Sequence, residues 1–450
     1  MDMTRRARRG TAWTRIMAAV CLGVPGPVYG QVLLEHPFTV HAGGEAVASI
    51  TAGCRSCDWA VAGREAIALK VDVDGRYSQH VLLTRGEAPA EYRILLGTLM
   101  AGRHQLTIER DGSRSAKDAG GARIGRVSIE SFDSDTAEYP WLSRAPILHA
   151  RPGTVERFSD VPLMMYAETV HDNSGYRYTV IFSHEDGGTP TDRLMATWGR
   201  STDIEFAYGI SGASRDSAAG EYQGVDHEIR PFRGNRDNGH PLVWVATDNN
   251  MFSDNGPAGA IRFAPAPYLV TLDGVSREAV MDANPWLYEV MSAELTREGR
   301  IDAGAQPGSG TVPDPRRFAY LEACGDVHDA TIAFDVAVQS AGSEVTWHAT
   351  DRGDARFRIA RSGCFRAAVP LPAGATAAAI SGIRARAYTR PPREGDRPLP
   401  DGTGRVTLRR LNAVFMLGED FKPVRSSLRW TGTLELKGES PPAPIPTTSR

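Results

Sequence analysis

Lysine is nearly missing from these 450 residues: of 51 basic side chains, only Lys70, Lys117, Lys422 and Lys437 are lysines. Coding in a GC-rich genome accounts for that skew without any claim about phosphate or carboxylate recognition. Excess charge is missing too. The net charge is −3, with no basic stripe and no acidic tail, so neither a nucleic-acid partner nor a charged disordered arm is expected. Long apolar runs do not occur, and nothing approaches the 18 residues of a membrane-spanning helix, so a soluble mature chain is expected. Familiar catalytic signatures fail as well. "GISGASRDS" has Ala213 where a G-x-S-x-G elbow needs its second glycine. No H-E-x-x-H occurs, and no Gly-rich phosphate loop precedes a helix.

Cysteine is scarce, and its placement is informative. Arg5, Arg6, Arg8, Arg9 and Arg15, the apolar run Ile16 to Val24, and Val28-Tyr29-Gly30 before Gln31 have the order of a secretory signal peptide. That predicts a leader over 1–30 and an exported protein, periplasmic or secreted. Val20 before Cys21 fits a lipoprotein anchor poorly. Removing the leader leaves Cys54, Cys57, Cys324 and Cys364, an even set for an oxidising compartment. Sequence proximity pairs Cys54 with Cys57 and Cys324 with Cys364. A redox role for "CRSC" lacks the surrounding βαβ pattern, and zinc lacks a second ligand pair.

What is present is mostly strand. In "AIALKVDVD", Ile67, Leu69, Val71 and Val73 alternate with Ala68, Lys70, Asp72 and Asp74, the period that buries one face. Asp74-Gly75 turns the chain into "HVLLT", and "YRILLG" with "HQLTIERD" reads as a second hairpin. A mainly β chain follows, with a β-sandwich over 32–132, a β-rich middle domain over 138–305 and a second β-sandwich over 316–438. One helix is expected at about 285–298, with Pro285 in its first turn and Gly299 past its end. "DAGAQPGSGTVPDPR" reads as a flexible linker, and the tail 439–450 as disordered.

The middle domain gathers polar residues among its strands. "FSHEDGGTPTDRLMATWGRSTDIEF" holds His184, Glu185, Asp186, Arg200, Asp203 and Glu205. Asp203 and Glu205 stand two apart on a strand, roughly 6.6 Å, within the separations of about 5–9.5 Å used by paired-carboxylate glycosidases. A solvated strand face carries the same pattern. "VDHEI" adds Asp226 and His227, and "NGHPLVWVATDNNMFSDNG" adds His240, Asp248, Asn250 and Asp254. Calcium would take the oxygens of Asp248, Asn250 and Asp254, although EF-hand spacing is absent; a transition metal would prefer His184, His227 or His240. Asx turns explain the same amides and acids. Trp198 and Trp244 would stack a sugar ring or simply pack.

The order "DVPLMMYAE", "TDIEFAY", "HPLVWVA" is similar to the middle of vacuolar-sorting-related proteins, over less than a quarter of the chain. "TDIE" stands where that family has a tryptophan-containing segment, and no residue or function is taken from the likeness. Three function classes remain. The first is an exported protein binding a glycan or other extracellular ligand, with Arg200, Asp226, His227, Trp198 and Trp244 in contact. The second is a polysaccharide hydrolase using Asp203, Glu205, Glu185, Asp186 and His184, and the third an envelope assembly protein. Oligomeric state is not legible.

Overall fold

The computed structural model describes residues 30–170, 175–211, 219–339, 344–392 and 397–449. The leader therefore lies almost wholly outside the described residues. The chain is mostly β, 47% strand and 11% helix, arranged in three pairs of sheets.

In the first pair, Gln31–Val40, Gly102–Asp111, Ala68–Val73 and Arg76–Leu82 form one sheet, and Ala90–Leu99, Gly44–Cys54 and Ala122–Phe132 the other. The Asp74-Gly75 hairpin forms with both turn residues at positive φ, 51° and 72°, as two-residue hairpin turns require. The second expected hairpin does not form. Ala90–Leu99 pairs with Gly44–Cys54, while Gly102–Asp111 pairs with Gln31–Val40 and Ala68–Val73. A turn signal between apolar strands marks a reversal but not its partner, and here the chain crosses between facing sheets. Both disulfides are present, Cys54–Cys57 and Cys324–Cys364.

The middle region has a six-stranded sheet in the order Ile229–Pro231, Ala219–Gln223, Asp203–Ser211, Gly175–Phe182, Pro162–Thr169, Tyr268–Leu269. A smaller sheet holds Arg236–Asp237, His240–Val245, Ile147–His149 and Arg262–Phe263, with Phe252–Ser253 beside His240–Val245. The expected helix runs Trp286–Arg297 and buries Leu287, Val290, Met291 and Leu295; Gly299 follows at φ 66°. A second helix, Thr191–Trp198, lies within the polar stretch expected among the strands, and it buries Leu194 and Met195 before Gly199 stops it at φ 64°.

The three regions are not separately packed. One apolar cluster includes Ile50, Leu69, Val180, Phe252 and Val290, and another joins Ile204 and Met291 to Tyr320 and Phe415. Polar contacts cross the first junction also. His240, buried, meets the Glu45 carboxylate through Nε2 and the Ala145 carbonyl through Nδ1, each at 2.9 Å, so neither nitrogen is free for a metal.

The third region stacks a sheet of Gly363–Pro370, Phe318–His328, Arg405–Leu417 and Leu428–Lys437 on one of Thr346–Ala349, Ala330–Val338 and Ile380–Thr389. Two expectations at its borders fail. The tail is bound: Ala443–Pro444 pairs with Ile380–Thr389, Thr448–Ser449 pairs with Leu428–Lys437, and Ile445 is buried. A proline-rich segment can close a sheet edge, where missing N–H groups cost nothing. The linker is folded as well. Asp302 and Val312 exchange backbone bonds with their surroundings, Gly308 N donates to Asp192, and Ala305 and Val312 are buried.

Candidate functional site

The strand Asp203–Ser211 was expected to carry one wet face, yet Asp203 is 2% exposed and Glu205 6%. The antiparallel register sets Asp203 beside Phe182 and Glu205 beside Val180. The loop around Asn250 and the end of Ala219–Gln223 lie over them. Asn250 Nδ2 donates to Asp203 Oδ2 at 3.0 Å, and Gln223 Nε2 donates to Glu205 Oε2 at 2.6 Å. Buried acids of this kind must be paired or protonated. Burial, aided by the negative charge of Glu205, pushes the Asp203 carboxyl up to about 7.

Asn250 is the hub of the cluster. Fully buried at φ 55°, it also directs Nδ2 to the His184 carbonyl at 3.1 Å and to Asp160 Oδ1 at 3.4 Å. Asp160, which sequence reasoning passed over, thereby joins Asp203 to a second group of charges. Arg151 Nη2 donates to Asp160 Oδ2 and to Asp186 Oδ2, each at 2.8 Å. Arg157 and the Ser159 hydroxyl complete the shell of Asp186. Burial, then the neighbouring charge of Asp186, pushes Asp160 up to about 9, with Arg151 opposing. For Asp186 burial acts in the same upward sense, but the Ser159 and Asp160 hydrogen bonds and both guanidiniums outweigh it and hold the carboxyl low.

The "HEDGG" loop is fixed by close backbone approach. Gly187 N donates to the Asp248 carbonyl at 2.8 Å, and a Cβ on Gly187 would lie 2.3 Å from the Asp248 carboxyl carbon. Glu185, half-buried, accepts from Thr189 N at 2.9 Å. Burial and the charge of Asp203 raise its carboxyl to about 7. His184 points inward at 3% exposure, and neither ring nitrogen has a hydrogen-bond partner. An open cleft of about 340 Å³ runs beside Asp186, bordered by Arg151, Arg157, Ser159, Asp248, Arg297 and Glu298.

So Glu185, Asp186, His184, Asp203, Glu205, Asp248 and Asn250 come together, with Asp160, Arg151, Arg157 and Gln223 beside them. His227, exposed, connects through its Nδ1, 2.8 Å from Gln223 Nε2; Asp226 is exposed in the same short turn at φ 64°. Other expected contacts lie elsewhere. Arg200 is buried against Glu278, Nε to Oε1 at 3.2 Å, where no ligand reaches it. Trp244 stacks on His149 at 4.4 Å and donates to the Pro257 carbonyl, and Trp198 lies under Arg361 at 4.8 Å. Both indoles serve internal packing. Of the calcium trio, Asp248 lies at the cleft and Asp254 at the loop of Arg233. Asn250 turns its amide nitrogen to three acceptors, and Asp254 accepts from Arg233 N at 2.8 Å as a loop cap.

No signal in the sequence marks Asp160. Its partners arrive from residues 151, 186 and 250, and only the positive φ of Phe158 and Asp160, both 53°, sets "RFSD" apart.

No family model matches the sequence, and no curated protein matches it. Among solved structures, 22% of the chain is similar to 68% of the C-terminal domain of EclA, a sugar-binding protein, at 16% identity and a TM-score of 0.18. A lectin from Pleurotus ostreatus in complex with GalNAc matches over 88% of this chain and 83% of that one, at 10% identity and a TM-score of 0.12. Scores this low carry no argument about fold or site. What the coordinates define is the class: a β-rich chain of three sheet pairs, closed by two disulfides. No helix among the described residues is long and apolar enough to cross a membrane.

Proposed function

We propose that the protein is exported and binds an extracellular glycan at the cleft of the middle region. One observation carries this reading: side chains from five separated stretches, 151–160, 184–186, 203–205, 223 and 248–250, converge beside an open polar cleft. The cleft offers guanidiniums, carboxylates and a hydroxyl but no apolar side chain. Such a lining suits a hydroxyl-rich ligand better than an apolar one, which would seek a mostly apolar pocket. Two disulfides support an oxidising destination.

Hydrolysis is the second reading, favoured by Glu185 and Asp203 both titrating near neutrality. Burial of Asp203 beneath Asn250 weighs against it, because a polymer cannot touch that carboxyl.

A glycan array with the purified chain, run beside a reducing-sugar assay, tests both. Retention of one glycan class without new reducing ends is expected, with Arg157→Ala weakening it about tenfold, worth about 1.4 kcal/mol. Release of reducing ends would favour the hydrolase. Silence on every glycan would overturn the proposal and leave an assembly role for the β regions.

A further inference from the structure

Both ring nitrogens of His184 are buried without a partner, and Asn250 Oδ1 and Arg151 Nε in the same cluster are unpartnered too. A buried imidazole left without a partner on either nitrogen gives up its hydrogen bonds to water with nothing in return, so such rings are rare unless something else binds them. One ring nitrogen lies in a group with one carboxylate oxygen each of Asp160 and Asp186, all within 4.8 Å of one another. Donor atoms around a tetrahedral zinc stand about 3.3–3.5 Å apart, so side-chain shifts of about an ångström would close this group on an ion.

We infer that Asp160, His184 and Asp186 form a binding site for a divalent transition metal of the zinc type. Once the ion displaces the Asp160 proton, two carboxylates and one neutral imidazole balance a +2 charge and match the ligand types zinc accepts. Calcium would prefer oxygen donors alone and more of them. Three protein ligands leave a coordination position open, and Asp186 borders the cleft. Glu294, buried and engaged by Trp59 and Arg297, lies within electrostatic reach of His184.

Arg151 is the competing occupant. Its Nη2 stands between Asp160 and Asp186 at 2.8 Å from each, supplying the positive charge that an ion would bring. The metal and this guanidinium therefore compete, and the site binds its ion more tightly when Arg151 is neutralised. That competition separates a metal site from a plain ion-pair cluster.

The inference takes the cleft as the working site, but its test contains no glycan, so either proposal can fail alone. The full chain, stripped with chelator, is titrated with zinc and with cobalt, and visible absorption reports cobalt in a low-symmetry nitrogen and oxygen site. About one zinc per chain is expected. His184→Gln should weaken binding by about 10–100-fold and abolish the cobalt bands, and Arg151→Gln should tighten it. Asp186→Asn, nearer the surface, repeats the loss if His184→Gln fails to fold, with circular dichroism as the check. No zinc uptake by the wild type, unchanged affinity in both ligand variants, or equal calcium binding that ignores His184 would each overturn the site.

Discussion

Arg366→Met is expected to cost about 3–5 kcal/mol, the range measured when one partner of a buried ion pair is removed. The guanidinium is fully buried on the strand Gly363–Pro370. It grips Asp282 in fork geometry, Nη1 to Oδ1 at 2.6 Å and Nη2 to Oδ2 at 2.9 Å. Glu322 accepts from Nη2 at 2.8 Å and Nε at 3.0 Å, and Tyr288 OH lies 2.8 Å from Nη1. Asp282 and Tyr288 belong to the middle region's helices and Glu322 to the third region, so one side chain ties two regions together. The ring of Phe415 lies 5.0 Å from the guanidinium, and Gly199, ending its helix, leaves room for the Arg366 stem: a Cβ there would sit 2.8 Å from Cγ. Methionine keeps much of that volume and removes the charge, stranding two carboxylates.

Denaturant midpoints measure the loss. The triple variant Arg366→Met, Glu322→Gln, Asp282→Asn should regain a large part of it, because the penalty is mostly that of unpaired buried charge and not the worth of the pairs. If Arg366→Met costs under about 1 kcal/mol, in the range of surface pairs, the junction is not buried as described.

How much of this was readable beforehand follows from where the information sits. Period-two runs such as Leu69, Val71 and Val73 named their strand, and all three are buried. Asp74-Gly75 named its hairpin because turn chemistry is local. The crossing after Leu99 was not readable, since two adjacent strands give the same pattern whether they pair or face each other across a core. Thr191–Trp198 was missed because eight residues hold barely two turns and no side chain caps its start. In the site, the acids that cluster along the chain, Glu185, Asp186, Asp203 and Glu205, were visible as a group. Their burial was not, because the covering groups Asn250 and Gln223 come from other loops. Asp160 was invisible for the same reason, and the two tryptophans looked like ligand platforms only because their internal partners are distant in sequence.

The sharpest consequence of that burial is a stability that falls as the pH rises. Asp203 holds its proton to about 7 in the folded chain, against an ordinary value of 3.8. Below the lower value both states are protonated and the contribution is fully present. Between the two the unfolded chain releases its proton while the folded one keeps it, so stability declines by about 1.4 kcal/mol per pH unit, then levels off above the folded pKa. The value of about 7 already includes the push of Glu205 and the attraction of Arg200, 3.7 Å away, so the total is at most about 4 kcal/mol. Glu278 works in the opposite sense and in another window. Its carboxyl is held down to about 2, the charges of Arg200 and Arg277 outweighing burial, so its contribution is lost only as the pH falls from about 4.5 toward 2. Asp203→Asn imitates the protonated acid and keeps an acceptor for Asn250. In chelator, the variant should match the wild type at pH 4 and exceed it by about 2–4 kcal/mol at pH 8. Glu185 titrates in the same window and feels the charge of Asp203, so Glu185→Gln, measured alone and with Asp203→Asn, divides the slope between them. A variant weaker than the wild type at pH 8 would mean that Arg200 holds an ionised Asp203, and the buried acid would be half of a salt bridge instead of a stored proton.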